Sequence, residues 1–187
     1  GVSAITNAIL AFVKPGDHIL VTDSAYFPTR NLCNTFLKKF GVETEYYDPT
    51  LGGDIAGLIR DNTALVWCES PGSLTFEMQD IPAIAKAAHA RDVKVLLDNT
   101  WASPILCRPF ELGVDVSVQA GTKYIVGHSD VMLGTITTAT EADLLTIKKQ
   151  ILISGDAVGP DDCYLAQRGL RTLAVRLKQH HESGLKV

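Results

Sequence analysis

The sequence predicts an α/β protein whose mainly parallel β-sheet is covered by helices on both faces. Short apolar runs alternate along the chain with longer amphipathic ones, an order typical of βαβ units. Runs such as "HILV" are apolar throughout, which indicates buried strands of a parallel sheet. With 46% hydrophobic and 20% charged residues, the 187-residue chain has the composition of a globular protein with a well-filled core.

The individual elements follow from these runs and from their stop signals. The short apolar runs predict strands over residues 17–23, 63–70, 93–100, 115–121 and 131–140, and the alternating segment 42–48 predicts a further strand. The amphipathic runs predict helices over residues 1–13, 28–41, 52–61, 81–92, 141–154 and 160–184. Gly41 is a typical helix stop, and Pro82 lies near the first turn of its helix, where the missing N–H does no harm.

Charge and cysteine content exclude several classes of protein. A net charge of −4 argues against nucleic acid as a partner, because phosphate binding needs a basic surface. We also expect no membrane partner, since no apolar run approaches the roughly 20 residues of a span. The cysteines are scattered without a C-x-x-C, which favours a reduced cytoplasmic protein; they are Cys33, Cys68, Cys107 and Cys163.

Candidate site residues are those that directly follow the predicted strands. Ligands of open parallel sheets bind beyond the carboxyl ends of the strands. This rule selects residues 23–26, 69–73, 98–101 and 119–123. We therefore expect the functional groups of these four segments to share one edge of the sheet.

Lys123 and Asp98 are the two charged residues of this edge with a specific chemical use. They could form a simple ion pair, or they could hold opposite ends of one cofactor. Pyridoxal 5'-phosphate (PLP) needs a lysine amine for its aldehyde and an anion beside its ring nitrogen. Residues 1–3 begin an apolar helix whose free N–H groups favour a phosphate, and Tyr26 could stack on the cofactor ring.

Two other motifs near Lys123 do not support a site of their own. His128, Ser129 and Asp130 have the residue types of a hydrolase triad, but three contiguous side chains cannot converge as nucleophile, base and orienting group. The segment 121–123 resembles the end of a phosphate-loop signature, yet Thr122 separates the glycine from the lysine and the first glycine is absent.

Several strings of the chain resemble one known family along its whole length. "LLDNTWASP", "VSVQAGTKYIVGHSD", "WCESPGSLTFEMQDIPAIA" and "RGLRTLAVRLKQHHESGLKV" carry the resemblance. They are similar to the Cys/Met-metabolism PLP-dependent enzymes, which have the aspartate-aminotransferase type of fold (fold type I). "ESPGS" and "RLKQHHES" are most similar to the β-lyase branch of that family.

The resemblance implies roles for three residues at the cofactor ring. Lys123 should be the catalytic lysine, which attaches PLP covalently and then acts as the base for the substrate Cα proton. Asp98 should pair with the pyridine nitrogen. Tyr26 should stack on the ring and take part in catalysis, while the sequence assigns no role to Trp101.

The resemblance also implies a phosphate site and shows two departures from the family pattern. Gly1 and Val2 should offer backbone N–H groups to the phosphate, and the Thr122 hydroxyl should add a contact. Much of the family has serine in the place of Ala120, so one hydroxyl contact is missing here. Ser73 replaces an asparagine that γ-acting members commonly carry, which fits the β-lyase branch.

The activity implied is that of a PLP-dependent carbon–sulfur β-lyase cleaving L-cystathionine to homocysteine, pyruvate and ammonia. A γ-acting relative and a truncated, non-catalytic PLP-binding module are the alternatives. We expect residues 1–187 to form the PLP-binding large domain, with the family's N-terminal arm and C-terminal domain absent. The expected partners are a small amino-acid substrate and further copies of the chain, in a homodimer or homotetramer with active sites between subunits.

Overall fold

The computed structural model describes residues 1–187 and contains one six-stranded sheet. The strands are β1 (His18–Thr22), β2 (Glu43–Tyr47), β3 (Thr63–Glu69), β4 (Lys94–Asp98), β5 (Val116–Gln119) and β6 (Thr135–Thr138). Their order across the sheet is β2-β1-β3-β4-β5-β6. All neighbouring pairs are parallel except β5 and β6, which are antiparallel. The predicted α/β class with a mainly parallel sheet is confirmed.

Seven α-helices and three irregular helices surround this sheet. The α-helices are α1 (Val2–Leu10), α2 (Phe27–Asn31), α3 (Ile81–His89), α4 (Ser103–Leu106), α5 (Glu141–Ser154), α6 (Pro160–Leu170) and α7 (Leu173–Gly184). A π-helix, Leu32–Leu37, continues α2, and short 3₁₀-helices span Gly52–Gly57 and Pro109–Leu112. No helix of the chain combines the length and the apolar character that crossing a bilayer requires.

Both faces of the central sheet are buried, because side chains of β1, β3 and β4 alternate between two hydrophobic clusters. On β3, Leu65 and Trp67 pack into the cluster that contains α1 and α5, whereas Val66 and Cys68 pack into the cluster that contains α3. This double burial explains the continuous apolar runs of the sequence. It also leaves the carboxyl ends of the strands as the edge at which polar groups can collect.

Several predicted elements are shorter than expected; the helix predicted over residues 52–61, for example, is the 3₁₀-helix Gly52–Gly57. The strand predicted over residues 131–140 is limited to β6, because Leu133 pairs with the Thr122 hydroxyl instead of extending the ladder. The single helix predicted over residues 160–184 is wrong, since it divides into α6 and α7. The Gly169 carbonyl accepts hydrogen bonds from the Thr172 backbone (3.1 Å) and hydroxyl (3.2 Å) and from Arg176 Nη2 (2.8 Å), which ends α6.

Candidate active site

A cavity of about 890 Å³ opens at the carboxyl ends of β1, β3, β4 and β5. Its volume is within the range of small-molecule and cofactor sites. The sequence-predicted residues that line it are Gly1, Tyr26, Asp98, Thr122 and Lys123. Val2 is not among the lining residues, and 47% of its surface is exposed. The strand-end rule therefore brings most of the predicted groups into one space.

Asp98 is a buried carboxylic acid at the end of β4, with 7% of its surface exposed. Its Oδ1 accepts hydrogen bonds from the Thr100 backbone N–H (3.0 Å) and the Thr100 hydroxyl (2.5 Å). Burial raises the pKa of Asp98, and the two bonds from Thr100 oppose that shift. The Thr100 hydroxyl also accepts from the Ala120 N–H (2.7 Å), so it ties the end of β4 to the segment after β5.

Lys123 lies in the turn that follows β5 and extends an exposed side chain into the same cavity. The turn is closed by bonds from the Lys123 N–H to the Ala120 carbonyl (3.0 Å) and from the Gly127 N–H to the Lys123 carbonyl (2.9 Å). Its amine forms no salt bridge, so the simple ion pair with Asp98 is not formed. The amine is free for chemistry on a molecule in the cavity.

Helices α6 and α7 pack against the turn that contains Lys123. Arg176 Nη2 donates to the Ile125 carbonyl (3.4 Å) as well as to that of Gly169, and so joins the turn to both helices. Gly169 lies against the turn so closely that an added Cβ would be 2.2 Å from the Ile125 oxygen and 2.4 Å from the Val126 oxygen. The position of the Lys123 turn therefore depends on a close contact between its backbone and Gly169, a residue distant in the sequence.

We expect Gly169→Ala to destabilise the protein by about 1–3 kcal/mol, because the new methyl group overlaps two backbone carbonyls that cannot rotate away. The direction of the change in the free energy of unfolding is informative, since alanine in place of glycine within a helix ordinarily stabilises a protein by up to about 1 kcal/mol. Gly184→Ala is the matched control, because that helical glycine has open space around it. Urea unfolding of both variants measures the difference, and equal free energies of unfolding would contradict the close contact.

The predicted phosphate contacts are partly occupied by the protein itself. The Gly1 nitrogen donates to the Leu133 carbonyl (3.1 Å). The Thr122 hydroxyl donates to the same carbonyl (3.1 Å) and accepts from the Leu133 N–H (2.9 Å). The first N–H groups of α1 have no acceptor within their own helix and remain suited to an anion. The roles of Gly1, Val2 and Thr122 toward a phosphate stay predictions.

Glu69 is a cavity residue that no motif of the sequence singled out, although the strand-end rule included its position. It is the last residue of β3 and lies beside Asp98 in the parallel register. Burial first, and then the negative charge of Asp98, raise the pKa of Glu69 to about 8. Its Oε2 accepts a hydrogen bond from the Tyr26 backbone N–H (2.7 Å). An acidic residue at the end of an apolar strand was the available signal.

Thr100 and Arg176 were also missed, for different reasons. The spacing Asp-x-Thr favours a local hydrogen bond between side chains and backbone, so Thr100 could have been found from the sequence. Arg176 carries no such signal, because only the packing of α7 brings it to the cavity wall. Trp101, 51% exposed, and Ser73 both line the cavity, which agrees with a place on the substrate side without assigning a role.

Comparisons with known proteins agree with a PLP-dependent enzyme. A family described as Cys/Met metabolism PLP-dependent enzyme matches residues 1–187. The chain is 46% identical over 189 residues to cystathionine beta-lyase MetC of Escherichia coli, and 47% identical over 190 residues to cystathionine beta-lyase of Haemophilus influenzae. Each alignment covers 100% of this chain and 48% of the relative, so the chain spans about half the length of the curated relatives it matches.

A solved structure agrees with the fold. The crystal structure of cystathionine gamma-lyase from Lactobacillus plantarum, complexed with L-serine, superimposes with a TM-score of 0.89 at 35% identity. The superposition covers 92% of this chain and 45% of that enzyme. The aspartate-aminotransferase type of fold expected from the sequence is therefore present here.

Proposed function

We propose, because the chain belongs to the Cys/Met metabolism PLP-dependent enzyme family, that its natural protein is a carbon–sulfur β-lyase acting on L-cystathionine. The observation that supports it most directly is the free Lys123 amine in one cavity with the buried Asp98. The similarity to two cystathionine beta-lyases favours this substrate. Ser73, in the place where γ-acting relatives commonly carry asparagine, favours the β-reaction.

PLP is the cofactor of the family, and the residues of the cavity fit it. Lys123 offers a primary amine to an aldehyde, and Asp98 offers a buried carboxylate that forms no salt bridge within the chain. The cavity volume of about 890 Å³ leaves room for a substrate beside the cofactor. When bound, PLP supplies a protonated ring that accepts the electron pair left at the substrate Cα.

The chain's own residues then have separate tasks. Lys123 Nζ removes the proton from the substrate Cα, since a base must lie within hydrogen-bond reach of the proton that it takes. The Asp98 carboxylate holds a proton on the ring nitrogen by charge pairing, and Thr100 fixes its orientation through two hydrogen bonds. The Tyr26 ring lines the cavity and can cover one face of the cofactor.

The net reaction keeps its atoms and electrons in balance. The Cα–H bond and the Cβ–S bond of cystathionine break, and the sulfur leaves with the bonding pair as the homocysteine thiolate, which takes up a proton. Addition of one water to the remaining three-carbon fragment gives pyruvate and ammonia. No oxidant or reductant is required.

Product analysis of the natural protein with L-cystathionine tests the proposal against its γ-acting alternative. The similarity to a cystathionine gamma-lyase structure favours that alternative. We expect pyruvate and homocysteine in equal amounts from β-cleavage. The appearance of 2-oxobutyrate and cysteine would instead identify γ-cleavage. Bound PLP without any turnover would indicate a binding module and contradict both enzymatic proposals.

We also propose that the natural protein is at least a homodimer, with active sites between subunits. Large apolar side chains around the mouth of the cavity support it, because exposed apolar patches of this kind mark interaction sites. They include Leu74 (89% exposed), Met132 (89%), Phe76 (57%) and Trp101 (51%). Light scattering of the natural protein should give a mass of two or four copies, and a monomer would contradict the proposal.

A further inference from the structure

Glu69 makes a contact that PLP chemistry itself does not require. Its carboxyl lies at the end of β3 and accepts the backbone N–H of Tyr26 through Oε2 at 2.7 Å. Tyr26 precedes α2, so its N–H belongs to the start of the helix and has no acceptor within that helix. The contact therefore joins the central part of the sheet to the segment that presents the Tyr26 ring.

The backbone of Glu69 is held in place by buried hydrogen bonds. The Glu69 carbonyl accepts from Gln79 Nε2 (2.9 Å), and Gln79 Oε1 accepts from the Tyr47 hydroxyl (2.9 Å). Gln79 and Tyr47 are both buried, with 7% and 1% of their surfaces exposed. Fully paired buried polar groups of this kind fix one geometry. The position of the Glu69 side chain is thereby set by the core of the protein.

The Tyr26 ring and the helix α2 that follows it are more exposed than Glu69. Helix α2 has only five residues, and within it only Thr29 is buried. The Tyr26 side chain is 42% exposed, and that of Phe27 is 73% exposed. The ring itself therefore has little apolar packing. Its backbone hydrogen bond to Glu69 adds to the bonds that the preceding residues make, from the Asp23 N–H to the Tyr47 carbonyl (2.9 Å) and from the Ser73 N–H to the Ser24 carbonyl (2.8 Å).

We propose that Glu69 is a positioning residue that holds the Tyr26 ring over the cofactor by binding the Tyr26 backbone amide. The inference rests on the proposed function only so far as PLP occupies the cavity, and it is independent of the substrate. Glu69 forms no hydrogen bond or salt bridge with Lys123, and its side-chain hydrogen bond goes to the Tyr26 amide, so it acts through Tyr26. Removing the acceptor should release the ring without removing any group that reacts.

The protonation state of Glu69 suits this role. With its pKa raised to about 8 by burial and by Asp98, the carboxyl is mostly neutral at pH 7 and still accepts a hydrogen bond through its carbonyl oxygen. A neutral Glu69 leaves Asp98 as the single negative charge facing the ring nitrogen from these two strands. The other charged or titratable groups around the cavity are Tyr26, Lys123, Tyr124, Asp130, Arg176 and His180.

The test compares Glu69→Ala with Glu69→Gln in the natural protein loaded with PLP. The readouts are the visible circular dichroism of the bound cofactor and its dissociation constant. We expect Glu69→Ala to weaken PLP binding by about 3- to 10-fold, the worth of one hydrogen bond, and to reduce the dichroism band. Glu69→Gln should restore most of both, because its amide oxygen can accept the same N–H. Glu182→Ala, which truncates an exposed glutamate of α7, is the matched control and should match the wild type.

A double-mutant cycle with Tyr26→Ala separates positioning from a general structural role. If Glu69 acts through Tyr26, Glu69→Ala should change neither readout further once the ring is gone. Independent, additive losses would overturn the proposal, as would a failure of Glu69→Gln to rescue. Neither readout uses turnover, so a wrong substrate assignment would appear in the product analysis and leave this result unaffected.

The pH dependence of stability checks the neutral carboxyl separately. A raised pKa in the folded state means that stability associated with the protonated form is lost as pH rises from about 4.5 through about 8. Without cofactor, Glu69→Gln should therefore have the melting temperature of the wild type at pH 4.5. As pH rises to 9, its melting temperature should exceed that of the wild type by an increasing amount. A constant difference in melting temperature would show that Glu69 is already ionised and overturn its neutral role.

Discussion

Replacement of Lys123 by alanine is expected to lower the turnover of L-cystathionine by at least about 10²–10⁴-fold, the range for loss of a general base. The lysine is the free amine of the cavity, and the chain offers no second lysine among the lining residues. Loss of its amine should also abolish covalent attachment of PLP. Borohydride reduction of the wild-type protein followed by peptide mass spectrometry should locate the cofactor on Lys123.

Lys148→Ala is the control for this experiment, since Lys148 is exposed on α5, outside the cavity. It should retain turnover and borohydride trapping. A Lys123→Ala protein that turns over at the wild-type rate would contradict the mechanism. Cofactor mass on another lysine would contradict the site assignment even if turnover were lost.

Replacement of Asp98 by asparagine is expected to reduce turnover by about 10²–10³-fold, as found when one preorganised electrostatic contact is removed. Asparagine keeps the shape of the side chain and can still accept from Thr100, but it carries no charge to hold a proton on the ring nitrogen. The ring nitrogen of bound PLP should therefore lose its proton at a lower pH than in the wild type, as measured by the absorbance of the cofactor. Asp54→Asn, at an exposed aspartate of the 3₁₀-helix Gly52–Gly57, should leave both properties unchanged.

Stability of the cofactor-free protein provides an independent check of Asp98. Burial raises the pKa of this carboxyl, so its ionised form is unfavourable in the folded chain, and stability is lost as pH rises through the folded pKa. Asp98→Asn should therefore raise the melting temperature of the cofactor-free protein at pH 7, while it weakens the stabilisation gained on adding PLP. A lower melting temperature without cofactor would mean that the carboxylate is well paired in the chain.

Much of the fold could be predicted because burial imposes visible periods on the sequence. Strands β1, β3 and β4 carry apolar runs since both of their faces are covered, and α3 and α5 begin at residues that cap them. Asp80 accepts from the Ala83 N–H (3.1 Å), and Thr140 accepts from the Asp143 N–H (3.2 Å). The short β6 and the break between α6 and α7 could not be predicted, because contacts with distant segments end them.

The sequence by itself determined the α/β class, and it selected Lys123 and Asp98 at strand ends as candidate site residues, because burial and strand-end position leave marks at short range. Only the tertiary structure decided that the Lys123 amine is free of Asp98, and that Glu69 holds the Tyr26 amide. It also decided that Arg176 and Gly169 fix the lysine turn. These relations depend on how strands and helices from distant parts of the chain pack together, and a contact between distant residues has no period along the sequence.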